Sequence, residues 1–103
     1  MNTEIGDWLK SEDSREYFEL LGFPTVGADP LHLADCARAA TWLKKWLKSI
    51  GAEVELVTPP ISGAATGGTP VPVVVGELAG SESAKTILVY GHYDVQPPDP
   101  LDL

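Results

Sequence analysis

The hydrophobic period of this chain changes at Gly51, and that switch decides its fold class. From Leu33 to Ile50, apolar residues recur in steps of three and four: Leu33, Cys36, Ala37, Ala40, Leu43, Leu47 and Ile50. That spacing lines one face of a helix. Asp29 can cap its start, and Pro30 suits the first helical position. Lys44, Lys45 and Lys48 fall in the last turns, where cations favour the helix dipole. Gly51 is the natural stop. Directly after it, Glu53-Val54-Glu55-Leu56-Val57 alternates as a half-buried strand does. A chain that makes both patterns folds as α/β, a layered sheet with helices packed on it.

The remaining elements follow the same logic. Ile5, Trp8 and Leu9 share a helical face. Asp13, with Glu16 three residues on, reads as a capping box before Tyr17, Phe18, Leu20 and Leu21, and Gly22 ends that helix. Phe23 to Gly27 is a short linker. Residues 58–70 are uncharged and rich in Pro, Gly, Ser, Thr and Ala, so they form a loop. Val71 to Leu78 reads as a second strand, with Pro72 near its start where a missing N–H is tolerated. Thr86-Ile87-Leu88-Val89-Tyr90 is continuously apolar. That pattern belongs to a strand covered on both faces, so Thr86–Tyr90 is expected at the centre of the sheet. The helix from Pro30 to Ile50 is expected to pack on one face through Leu33, Ala37, Ala40, Leu43 and Leu47. Trp42 and Trp46, four apart, pack at the edge of that core.

Composition removes several function classes. The chain has 103 residues, one domain at most. Its hydrophobic content of 44% excludes disorder along the whole length. Its apolar runs are too short for a membrane span. Met1 to Lys10 has no basic start before an apolar core and does not read as a secretory signal. Fifteen acids against seven bases give a net charge of −8, which argues against a nucleic-acid surface. Lys85 is the only base after Gly51, so the second half is strongly acidic, as a solvated surface or a cation site is. Cys36 is the only cysteine. No intrachain disulfide can form, which fits a reducing, cytoplasmic compartment.

The chemistry concentrates where the apolar run ends. Gly91-His92-Tyr93-Asp94 follows at once, and ligands of open α/β sheets sit at the carboxyl ends of strands. Gly91 permits a close backbone approach there. A neutral imidazole is a good ligand for zinc and similar metals. A carboxylate two residues on can ligate as well, or can orient the ring through its other nitrogen. The plain alternative is a strand-end His and Asp acting as turn residues. His32, near a helix start, reads as exposed polar surface, and Cys36 on the buried stripe as a small core residue. Glu77, Glu82, Asp99 and Asp102 read as surface or loop acids.

Ile87 to Pro97, with its Gly-His-x-Asp-Val-x-Pro core, closely resembles the first metal-binding signature of the M20 family of metallopeptidases. Phe23-Pro24-Thr25-Val26 resembles that family's early turn, Ala39 to Leu47 its first long helix, and Ile50 to Val57 its helix-to-strand turn. Gln96-Pro97 suggests the dipeptidase or carnosinase-like branch. The resemblance implies that residues 1–103 correspond to the N-terminal part of a catalytic domain. It also implies that the parent enzyme cleaves amide bonds of dipeptides or related small substrates with two zinc ions, or manganese. On that reading His92 ligates one metal and Asp94 holds its imidazole at the catalytic centre. The family's remaining ligands, its general-base glutamate and its dimerisation domain correspond to positions beyond Leu103. This chain alone is then expected to be inactive. A central strand without its neighbours is expected to drive self-association, or a homo-oligomer. Two other readings stand beside this one. One is a small non-catalytic α/β binding module. The other is a single-site metal binder using His92 and Asp94 alone, which two ligands support poorly.

Overall fold

The computed structural model describes residues 3–59 and 71–99. Two helices open the chain: α1, Thr3–Trp8, and α2, Glu12–Leu21. A single 3-10 turn, Pro30–His32, leads into the long helix α3, Leu33–Ser49. Two strands follow, β1, Glu53–Val57, and β2, Val73–Glu77. They pair antiparallel, from Glu53 opposite Glu77 to Val57 opposite Val73. The architecture is α/β, a two-stranded sheet packed on α3 with α2 beside the helix. Among the described residues, no helix is long and apolar enough to cross a membrane.

The caps show which sequence signals acted. Ser11, not Asp13, caps α2: its Oγ accepts from the Ser14 N–H at 3.3 Å, and Asp13 lies inside the first turn. Ser11 wins because it stands one residue before the helix, where a hydroxyl can reach the open N–H groups. Asp29 caps as expected, accepting from the Leu31 N–H, but Pro30 starts the 3-10 turn rather than α3. Gly51 ends α3 in the left-handed region, at φ 96°. Its N–H donates to Lys48 O and the Ala52 N–H donates to Leu47 O, each at 3.0 Å, the paired bonds of a Schellman motif.

The buried face of α3 comprises Asp35, Cys36, Ala39 and Ala40, with Leu43 and Leu47 half-buried. Ala37 is exposed, contrary to the expected stripe. It points to the side of Arg38 and Thr41, where no strand lies. Leu47 reaches the sheet at Gly76: a Cβ there would stand 3.1 Å from the Leu47 Cδ1. β1 presents Val54 and Leu56 to the helix and its glutamates to water. The loop expected over 58–70 lies almost wholly outside the described residues, as does Asp102.

The largest departure is Thr86–Tyr90. Those residues are extended but belong to no strand of the sheet. Ile87, Leu88 and Val89 are 83%, 90% and 88% exposed. A continuous apolar run marks a strand with a layer on each face. The described elements supply one helix layer, and β1 and β2 already occupy it. The core that results is small: Val26, Cys36, Ala39, Ala40 and Ala52 are its buried apolar residues.

Gly51 gives a direct test. Replacing it with Ala places a Cβ in the left-handed region and is expected to cost about 1 kcal/mol, measured as a lower urea midpoint with unchanged slope. An unaffected midpoint would mean that another residue ends α3.

Candidate functional site

The site is built by a pin between two distant segments. Thr25 donates its hydroxyl to the Tyr93 carbonyl at 2.7 Å, and its own carbonyl accepts from the Val95 N–H at 2.9 Å. Val26 and Val95 form a parallel bridge beside it. Thr25 and Val26 are both buried. The pin sets Asp94 against Gly27, whose added Cβ would lie 3.5 Å from the Asp94 Oδ2. A Cβ at residue 27 would rest in ordinary van der Waals contact with that carboxylate.

His92 and Asp94 come together. The His92 Nδ1 lies 3.2 Å from the Asp94 Oδ1, and the Tyr90 hydroxyl lies 3.0 Å from the His92 Nε2. One tautomer satisfies both contacts: Nδ1–H donates to the carboxylate, and Nε2 accepts from the phenol. That arrangement leaves the lone pair on Nε2, the form in which an imidazole binds a metal, with Asp94 fixing the ring. The pair is open to water, with side chains 71% and 48% exposed. Gly91 has open space around it rather than the expected close backbone approach.

Tyr93 points the other way. Its hydroxyl donates to the Pro72 carbonyl, tying the site to the start of β2. Burial, then the charges of Cys36 and Asp94, push its phenol up to about 12. Burial raises the Cys36 thiol too, followed by Asp94 and Asp35. Cys36 is fully buried on α3 and serves as core. Between α3, β2 and residues 89–94 runs a groove of about 710 Å³, lined by Leu43, Leu47, Val73, Val89, Tyr90 and His92 among others.

His32 departs from its expected role as exposed polar surface. It is half-buried, and its Nδ1 lies 2.8 Å from the Oδ2 of buried Asp35, whose other oxygen accepts from Arg38. This cluster holds the start of α3 and does not touch His92. Glu77, Glu82 and Asp99 are exposed. Among the described residues, no three His, Cys, Asp or Glu side chains converge as metal ligands. His92 with Asp94 therefore fits one oriented metal ligand and does not make a complete metal site. Thr25 and Tyr93, which position that pair, stand in runs that carry the family resemblance, but no local pattern predicts the contact between them, which spans 68 positions.

No protein-family model matches the chain, and no solved structure matches it. It is similar to the Cys-Gly metallodipeptidase DUG1 of Candida albicans, with 34% identity over 95 residues, covering 86% of this chain and 19% of that protein. The chain thus spans 19% of the length of the curated relative it matches.

The raised Tyr93 phenol has a measurable consequence. The folded state holds the proton more tightly than the unfolded chain, whose phenol titrates near 10. The contribution is therefore fully present below pH 10 and is lost as pH rises toward 12. Stability is expected to fall across that window in urea titrations, and less so in Tyr93→Phe. A phenolate absorbance step near pH 12, missing from the variant, is the matching spectroscopic result.

Proposed function

We propose that this chain is the N-terminal part of the catalytic domain of an M20-type metallopeptidase, a hydrolase of dipeptides or related small amide substrates. His92 ligates one metal through Nε2, and Asp94 holds the imidazole through Nδ1. The observation that carries this reading is the geometry of that pair, a ring whose Nε2 lone pair accepts the Tyr90 hydroxyl while a carboxylate fixes the other nitrogen. Similarity to a metallodipeptidase supports it from a second direction. The motif run from Ile87 to Pro97 supports the finer family assignment.

The metal is proposed to be zinc, two ions in the whole enzyme, with manganese as the alternative. Bound there, it would act as a Lewis acid and activate water for attack on the amide carbonyl. What this chain contributes is the orientation of one ligand. Tyr90 donates to the same nitrogen and would give up that bond to a metal held there. Thr25, bonded to Tyr93 and Val95 on either side of Asp94, holds that carboxylate in reach of the ring. The buried thiol of Cys36 suits a reducing cytoplasm, where it remains unpaired.

Calorimetry with zinc on the 103-residue chain tests the assignment. One weak site is expected, above micromolar, because one imidazole and one carboxylate fall short of the three or four ligands that hold zinc firmly. His92→Ala should remove it. Asp94→Ala should weaken it by about tenfold or more, the usual loss when a group orienting a metal-bound histidine is removed. Dipeptide hydrolysis by this chain alone should be undetectable. Zinc binding unchanged by His92→Ala would overturn the ligand assignment, and submicromolar binding with turnover would overturn the reading of an incomplete site.

A further inference from the structure

Side chains alternate along an extended segment, so Tyr90, His92 and Asp94 fall on one side of theirs, with Tyr93 turned away. They make a row of three polar groups with the imidazole in the middle. Asp94 approaches Nδ1 at 3.2 Å, and the Tyr90 hydroxyl approaches Nε2 at 3.0 Å. The rings of Tyr90 and His92 meet edge to face, with centroids 5.4 Å apart and planes at 72°. A carboxylate only accepts, so Nδ1 carries the ring proton and Nε2 accepts from the phenol. The lone pair that His92 would offer a metal is therefore already in use.

Two features of this contact decide its effect. A zinc ion sits about 2.0–2.1 Å from an imidazole nitrogen that ligates it. An oxygen 3.0 Å from the same lone pair leaves no room for that ion. Metal and phenol thus exclude each other. The phenol is also free to leave. Tyr90 is 80% exposed, and Gly91 beside it has open space. Among the described residues its hydroxyl has no other hydrogen-bond partner. Turning the side chain away gives up one bond and disturbs no core.

We propose that Tyr90 is a placeholder for the metal, a residue that lowers the metal affinity of His92 by competing for its lone pair. This role rests on the reading of His92 as a ligand. Asp94 and Tyr90 then act in opposite senses on one ring. Asp94 keeps the proton on Nδ1 and orients the imidazole, which favours the metal. Tyr90 has to be displaced before the metal can bind, which disfavours it. A neutral hydrogen bond open to water is a modest competitor, so the effect is about threefold in affinity, at the lower end of what one such bond contributes. Phenylalanine at residue 90 keeps a ring beside the imidazole and removes only the competitor.

Zinc titrations of the 103-residue chain, followed through the NMR signals of His92 and Tyr90, test this. Tyr90→Phe should bind zinc about threefold more tightly, a gain that losing a merely structural hydroxyl would not give. Tyr17→Phe, which removes a phenol from α2, should leave the affinity as it is. In the unaltered chain the Tyr90 ring signals should shift in step with those of His92, because displacement and binding are one event. Circular dichroism checks that each variant is folded. Equal or weaker binding by Tyr90→Phe, with His92→Ala still removing the site, would overturn the placeholder role and leave the ligand assignment standing. So would Tyr90 signals that ignore zinc while His92 responds, or a like gain in Tyr17→Phe. Zinc binding unchanged by His92→Ala would overturn the ligand assignment and the placeholder role together.

Discussion

The bond pair at Thr25 holds this molecule together as one object. Its hydroxyl and carbonyl both reach residues 93–95, separated from it by 68 positions in the Tyr93 contact. Among the described residues, this pair and the Tyr93–Pro72 contact are the hydrogen bonds that join residues 90–95 to the earlier elements. An ordinary hydrogen bond contributes about 1 kcal/mol, but losing a buried partner costs the desolvation of the group left behind as well. Thr25 is buried, so the pin is of the costly kind. It also fixes Asp94 beside Gly27, and Asp94 in turn fixes His92. The one oriented imidazole of the chain thus depends on a threonine far away in sequence.

The second constraint is the size of the core. The apolar side chains that α3 buries are small: Cys36, Ala39 and Ala40. Small residues let other segments approach closely, which is why the loop carrying Tyr93 and Asp94 lies near enough to Cys36 to raise its thiol. They also bring little transfer free energy, at about 25 cal/mol per Å² of apolar surface. The larger apolar side chains remain outside. Trp8, Tyr17 and Phe18 gather on one side and Ile87 to Tyr90 on another. The same feature that brings the site together leaves two apolar surfaces uncovered.

These facts explain what the sequence could and could not reveal. The period change at Gly51 located β1 to the residue and the end of α3 within one, because both depend on local pattern and on a glycine at positive φ, whereas the first three residues of the expected helix form a 3-10 turn. The His92–Asp94 pair was legible for the same reason, being two residues apart on one extended segment. Thr86–Tyr90 was misplaced, because hydrophobicity reports that a segment can be covered and not that a covering layer is at hand. Asp13 reads as a cap because its spacing to Glu16 fits a capping box, but the Ser11 hydroxyl, two residues earlier, reaches the helix start. The roles of Thr25, Tyr93 and His32 rest on tertiary contacts, and no short-range pattern encodes them. Ala37 failed for a related reason: the stripe gave the helix face within one residue, and the neighbouring elements chose Ala39 instead.

The groove and the open segment share residues, and this ties packing to chemistry. Val89 and Tyr90 belong to the exposed run and also line the space beside His92. Any layer that covers Ile87 to Tyr90 therefore also excludes water from the imidazole and its carboxylate. In water, a contact of 3.2 Å between groups this exposed is weak, since solvent competes for both partners. At lower dielectric the same contact strengthens, and the cost of leaving either partner unpaired rises with it. Covering that run and rigidifying the ligand are thus one event. The chain sets the direction of the His92 lone pair through Asp94 and Tyr90, and the strength with which that direction is held scales with how completely the neighbouring apolar run is buried.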